Sequence, residues 1–318
     1  MKYTIEAYEL LDSRSVSGES VKESLVVAGV DKNAVTVKTV QGPKGRTDFV
    51  KIWLKGSEGK KNGGKAPTLG IVGRLGGIGA RPERVGIVSD GDGAIAALAT
   101  AMKLGKMAQM GDALKGDVFI STHICPNAPT CPHDPVPFMD SPINMSIANA
   151  EEITDDLDAV LSIDTTRGNR IINHRGFALS PTVKEGYILR ISEDLLTLMS
   201  YVTGRDPVVF ALTTQDITPY GNDLYHLNSI LQPCTATKAP VVGVALTAES
   251  AVPGCATGSS QVVDIELVVR FSIEVAKAFG EGKIAFYDKK EFQRIVNLYG
   301  SMAHLQTMGT GKQNVNKT

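Results

Sequence analysis

The chain has 318 residues and a formal net charge of −1, with 42% hydrophobic and 21% charged residues, a balance that fits a folded protein and excludes a disordered one. So small a charge leaves no basic field to hold nucleic acid or an anionic membrane, and no apolar run is long enough to span a bilayer. Four cysteines make no disulfide framework, and the stretch from Met1 to Glu6 lacks the apolar core of a secretion signal. These features lead us to expect a cytoplasmic protein with no nucleic-acid or membrane partner.

Residues 18–29 read as a helix stopped by Gly29. Residues 35–40 and 49–54 read as strands, and the Gly/Lys-rich stretch from Lys55 to Pro67 as an exposed hairpin loop. Within that stretch, Gly59 to Ala66 nearly spells a phosphate-binding loop. Ala66 stands where the magnesium-binding hydroxyl belongs, and Pro67 and a strand follow where a helix is needed, so a solvated loop without ligand is expected. The glycines at 73, 76, 77 and 79 resemble a dinucleotide loop, but Pro82 and another strand follow in place of its helix. The simpler reading is close backbone approach.

Four apolar runs then share one feature, a polar end. Residues 84–89 stop at Asp90, 117–122 at His123, 159–163 at Asp164, and 207–214 at Gln215 and Asp216. Helices are expected at 94–109, 192–202 and 264–279. The alternation predicts an α/β fold with a mostly parallel mixed sheet sandwiched by helices, as one domain over 1–308 and a polar tail over 309–318. In such a sheet the ligand crevice lies at the carboxyl ends of the strands, so the four polar ends are expected on one face. Helix capping is the alternative for any single aspartate. The polar loops at 164–169 and 213–226 follow such ends and are candidates to hydrogen-bond a small-molecule or peptide-like ligand, with turn chemistry as the alternative.

Residues 123–134 gather His123, Cys125, Cys131, His133 and Asp134 around Pro126, Pro129 and Pro132. Thiolate and imidazole are zinc ligands, and prolines stiffen a loop that would hold them. The spacing matches no common zinc finger, and a rigid loop with buried thiols is the alternative. Cys234 and Cys255 stand alone; each reads as a small buried residue, with Cys255 kept as a lesser site candidate.

The order of segments resembles the co-catalytic zinc aminopeptidases and the wider zinc exopeptidase superfamily. Ser17, Gly18 and Glu19 resemble its opening helix, Asp90 to Leu98 its bridging-aspartate turn and following helix, and Asp164 its aspartate ligand at the end of the next strand. The chain is also identified as a member of an uncharacterised family, the domain of unknown function 1177. The resemblance implies a zinc-exopeptidase-like (phosphorylase/hydrolase-like) fold with a rewritten metal site. Arg74 falls near the first histidine position, Ile124 and Cys125 near the paired glutamates, and Cys255 near the last histidine. The implied zinc ligands are Asp90, Asp164, His123, Cys125 and His133, and the implied catalytic groups are His123, Asp92 and Arg74, with Arg74 binding an anionic group. The function so implied is a metal-assisted hydrolase for an amide or related bond of a small peptide-like molecule. A non-catalytic binding or regulatory protein on the same scaffold is the alternative, and assembly into a homo-oligomer is left open.

Overall fold

Runs rich in β-branched residues and lacking a helical period suit a sheet buried on both faces. Four such runs, β3 (Leu69–Gly73), β4 (Val118–Ile124), β7 (Ala159–Thr166) and β11 (Val241–Thr247), lie side by side in the computed structural model and form the parallel centre of a sheet. The structure describes residues 1–74, 86–87, 91–132, 138–166, 168–251 and 260–309, with backbone alone at 130, 131, 138 and 139. The remaining strands are β1 (Val35–Gly42), β2 (Gly45–Leu54), β5 (Thr130–Cys131), β6 (Phe138–Met139), β8 (Gly176–Leu179), β9 (Val183–Lys184) and β10 (Tyr187–Ile188). The helices are α1 (Lys2–Asp12), α2 (Gly18–Ala28), α3 (Asp92–Gln109), α4 (Met145–Glu152), α5 (Glu193–Thr203), α6 (Val262–Gly280) and α7 (Lys289–Tyr299).

The sheet runs β1-β2-β4-β3-β7-β11-β9-β10, with β8 also paired to β11. The fold is mixed α/β. Its parallel character belongs to the four central strands, and antiparallel strands flank them on both sides. The expected strand at 84–89 lies mostly outside the described residues.

Side chains alternate across a strand, so the sheet has two distinct faces. Leu69, Ile71, Val118, Ile120, Leu161, Val242 and Val244 join the core cluster that includes residues of α1, α2, α3, α5 and α6. Val72, Phe119, Val160, Val241 and Ala245 turn to the other face, where the cover is α4 and irregular chain from 207 to 239, with 3-10 turns at Gln215–Ile217 and Gln232–Ala236. The helical sandwich read from the sequence therefore holds in part: the second face carries α4 but is otherwise covered by irregular chain.

Residues 207–214 correct a sequence expectation. Apart from an isolated bridge between Val209 and Leu179, the segment forms no strand. Pro207 has no N–H to give a ladder. Among the described residues the segment bonds to the sheet only through Leu179, whose amide donates to Val208 and whose carbonyl accepts from Phe210, and the Phe210 ring is buried against the second face. The segment is apolar because it is a cover. The place beside β7 is filled by β11, which sequence reading did not single out.

Local chemistry explains the element ends. Ser17 and Ser20 form a capping box on α2, and Gly29 closes it at φ 111°. Glycine also lets α3 seat on the sheet: a Cβ on Gly93 would lie 2.4 Å from the Ile163 carbonyl, and one on Gly73 2.5 Å from the Gly93 carbonyl. The loop from Lys55 to Pro67 is exposed at Lys60, Lys61 and Asn62, but it is pinned from below: buried Asp117 accepts the amides of Gly56 and Lys61, both at 2.8 Å. No helix of the described residues is long and apolar enough to cross a membrane.

Candidate functional site

Two-residue periodicity decides which polar side chains meet. His123 shares the parity of Phe119 and Ser121 on β4, Asp164 that of Val160 and Ser162 on β7, and Arg74 that of Val72 at the end of β3. Gly73 pairs with Thr122 on one side and Ile163 on the other, and the Arg74 amide donates to the Ile163 carbonyl at 2.8 Å. Arg74, His123 and Asp164 thus stand level at the carboxyl edge of the parallel strands, on the face not covered by the helix layer. With strands ~4.8 Å apart, His123 and Asp164 sit about 10 Å from each other with Arg74 on the strand between them.

The last residue of α4 completes this row. Glu152 is fully buried; its Oε1 lies 2.6 Å from His123 Nδ1, and its Oε2 accepts from Arg74 Nη1. The same Nη1 donates to Asn149 Oδ1 at 3.0 Å, and Nη2 reaches toward the weak acceptor Met145 Sδ. Burial pushes the Glu152 carboxyl upward, but Arg74 and His123 outweigh it and hold the group below its ordinary range. The neighbouring Glu151 points the other way, to Lys51 at 2.7 Å and to Lys38, so two successive carboxylates fasten α4 to different parts of the sheet.

Serines one layer down hold the cover in register. Ser121, two residues before His123, donates to the Glu152 carbonyl at 2.8 Å, and Ser162, two residues before Asp164, donates to the Ile230 carbonyl. That second bond places Ser229, whose hydroxyl donates to Asp164 Oδ2 at 3.1 Å, while the Thr165 amide donates to Oδ1 at 2.8 Å. Burial raises the Asp164 carboxyl to about 6, against the opposing pull of Arg74, Thr165 and Ser229. Burial raises the nearby Tyr220 hydroxyl to about 12, against the pull of Ser229.

Above the row lies a groove of about 920 Å³ between α4, the Pro219–Gly221 turn, the Gln232–Ala236 turn and residues 306–308. Met145 and Asn149 line it and also touch Arg74, and Tyr220 lines it within the field of Asp164.

Of the residues singled out from sequence, His123, Arg74 and Asp164 come together. Arg74 is completely buried, and its Nε has no hydrogen-bond partner among the described residues. Asp92 lies in the first turn of α3, in the helix layer, and accepts from Ser260 at 2.6 Å just before α6. Cys125 is buried beside Thr47 at 3.4 Å, and burial raises its thiol to about 12. Asp216 is not a free carboxylate at the crevice: it accepts from Thr213, Leu227 and Asn228 and so ties together the loop that bears Tyr220. Asp90, His133 and Cys255 lie outside the described residues. Among those described, no three His, Cys, Asp or Glu side chains are grouped so as to hold a metal ion. Asp164 stands two strands from His123, so among the described residues Asp164, His123 and Cys125 do not by themselves make the expected zinc centre.

Glu152, Asn149 and Ser229 were missed in the sequence. Their signal is faint: a serine two residues before both His123 and Asp164 marks two strands whose side chains alternate into one polar layer.

Residues 38–309 match the family described as "Protein of unknown function (DUF1177)". The chain belongs to that family. Every described member of the row from Arg74 to Ser229 falls inside the DUF1177 segment. No curated protein matches the chain in sequence. Among solved structures, this DUF1177 chain is similar to the crystal structure of a glutaminyl cyclase from an Acidobacteriales bacterium, at 11% identity and a TM-score of 0.52, over 88% of this chain and 93% of that one. At that identity the likeness is one of fold.

Proposed function

We propose that the chain is an acid–base catalyst acting on an amide or related bond of a small peptide-like molecule, on a zinc-exopeptidase-like scaffold. The observation that carries this reading is the 2.6 Å contact from His123 Nδ1 to a Glu152 carboxylate that Arg74 keeps ionised. A carboxylate on Nδ1 fixes the ring and its tautomer and leaves Nε2 to take and return a proton. Asp164, raised to about 6, is the second group able to carry a proton near neutral pH. The fold shared with a protein named for its chemistry on a glutaminyl group supports an amide substrate. The described donor set does not fit a metal ion, so each step here is assigned to the chain's own side chains.

The complete burial of Arg74 and Glu152 supports a second reading, in which the row is a structural ion pair beneath a binding groove. Turnover of a panel of aminoacyl and peptidyl amides separates the two. His123→Gln is expected to lower turnover at least about 100-fold with the fold retained. If turnover is absent in the wild type, or survives His123→Gln while only stability falls, the row is structural and the binding reading stands. Metal content measured beside it, in His123→Ala and in His304→Ala at the exposed C-terminal end, tests the zinc expectation: a ligand histidine loses metal about 10-fold or more, and exposed His304 leaves it unchanged.

A further inference from the structure

Asn149 and Tyr220 each belong to two places at once. Asn149 Oδ1 accepts from Arg74 while its Nδ2 donates to Thr235 in the groove wall, and Tyr220 lines the groove within the field of Asp164. They are the joints between the 920 Å³ groove and the buried row.

The lining has a definite chemistry. Asn144, Ser146, Thr154 and Thr235 present an amide and hydroxyls, and the one charged residue among the lining side chains is the exposed Asp155. Below the groove, Glu152 already balances the Arg74 guanidinium, and Asp164 adds a second carboxylate. A ligand bearing negative charge would therefore meet two acids, Asp155 and Asp164, and no free cation among the described lining residues. Two buried polar atoms in the same region also have no partner among the described residues: Arg74 Nε, a donor, and Asn228 Oδ1, an acceptor next to Ser229. A buried donor or acceptor left unpaired is unfavourable, so each calls for a water or a ligand group.

We propose that this groove binds an uncharged, peptide-like ligand through its main-chain amide groups and delivers it to the His123–Glu152 pair. The proposal rests on the proton-transfer reading for the purpose of the site, but the binding itself is tested without turnover. The probes are N-acetylglycylglycinamide and its anionic counterpart N-acetylglycylglycine, titrated by ligand-observed magnetic resonance. Wild type is expected to favour the amide about fivefold or more, the scale of one unscreened surface charge. Asp155→Lys, at an exposed position, is expected to reduce that preference about threefold or more. Ala236→Trp, which fills the groove, is expected to weaken amide binding about tenfold. Equal binding of the two probes, no binding of either, or unaltered amide affinity in folded Ala236→Trp would overturn the proposal. Should Ala236→Trp fail to fold, the Asp155→Lys ratio decides alone: an unchanged ratio sinks the proposal. Intact amide binding beside a turnover that ignores His123→Gln would instead count against the catalytic reading and leave the groove standing.

Discussion

Asp164→Asn changes a charge while keeping the shape that Thr165 and Ser229 bond to. The carboxyl sits at about 6 in the fold against an ordinary 3.8, because burial disfavours its ionised form. The folded protein therefore holds this proton more tightly than the unfolded chain. The associated stability is complete below about pH 3.8 and is lost as pH rises through about 6. At about 1.4 kcal/mol per tenfold, the interval amounts to roughly 3 kcal/mol, of which about 2–3 kcal/mol is lost between pH ~4 and pH ~7.5. Asn has no proton to lose and is free of this dependence. Glu152 titrates in the opposite sense, contributing stability above the ordinary carboxylate range that is lost on acidification, but it is common to both proteins and cancels in their difference. Urea unfolding of the two proteins across that range should show Asp164→Asn gaining about 2–3 kcal/mol on wild type as pH rises. A difference that stays constant with pH would mean that Asp164 is ionised at no cost in the fold, and the reasoning from its burial would be wrong.

Two further substitutions probe the same row. Glu152→Gln strips the buried guanidinium of its counter-charge and should destabilise by about 3–5 kcal/mol in denaturant unfolding, whereas a loss under about 1 kcal/mol would show that Arg74 is compensated elsewhere. Gly93→Ala should lower the melting temperature by several degrees, equivalent to about 2 kcal/mol or more, since its methyl would sit 2.4 Å from the Ile163 carbonyl and 2.9 Å from that of Arg74; an unchanged melting temperature would show that α3 can shift on the sheet.

Much of the fold was legible because burial on both faces leaves a plain mark. The unbroken apolar runs before His123 and Asp164 are central strands, and their polar ends fall at one edge. The run ending at Asp216 carries the same mark for another reason, since a segment lying flat on a sheet is as apolar as a strand within it. Composition cannot separate those two cases; Pro207 was the available hint. The candidate site was half legible. Arg74, His123 and Asp164 lie on strands, where spacing converts directly into position. Glu152 and Ser229 reach the row from a short helix and a loop separated from it by long stretches of chain. Their placement depends on the bonds from Ser121 and Ser162 to the main chain, which no local pattern encodes. Cys125 follows the same strand as His123, and sequence alone offered no way to tell a buried thiol from a ligand.

The two covers of the sheet differ in how their backbone is held, and that difference divides the molecule into tiers. On the helix side, α3 and α6 satisfy their amides within themselves, turn by turn. On the other side, many main-chain groups hang on a few side chains: Asp216 carries three amides, Gln232 the Thr218 carbonyl, Ser162 that of Ile230 and Ser121 that of Glu152. Amide exchange should therefore be slowest in the central strands and the helix layer, with the 207–239 cover opening as a cooperative unit well before the sheet melts. Such a molecule can alter its upper storey, and with it whatever the groove accepts, while the storey that folds it stays in place.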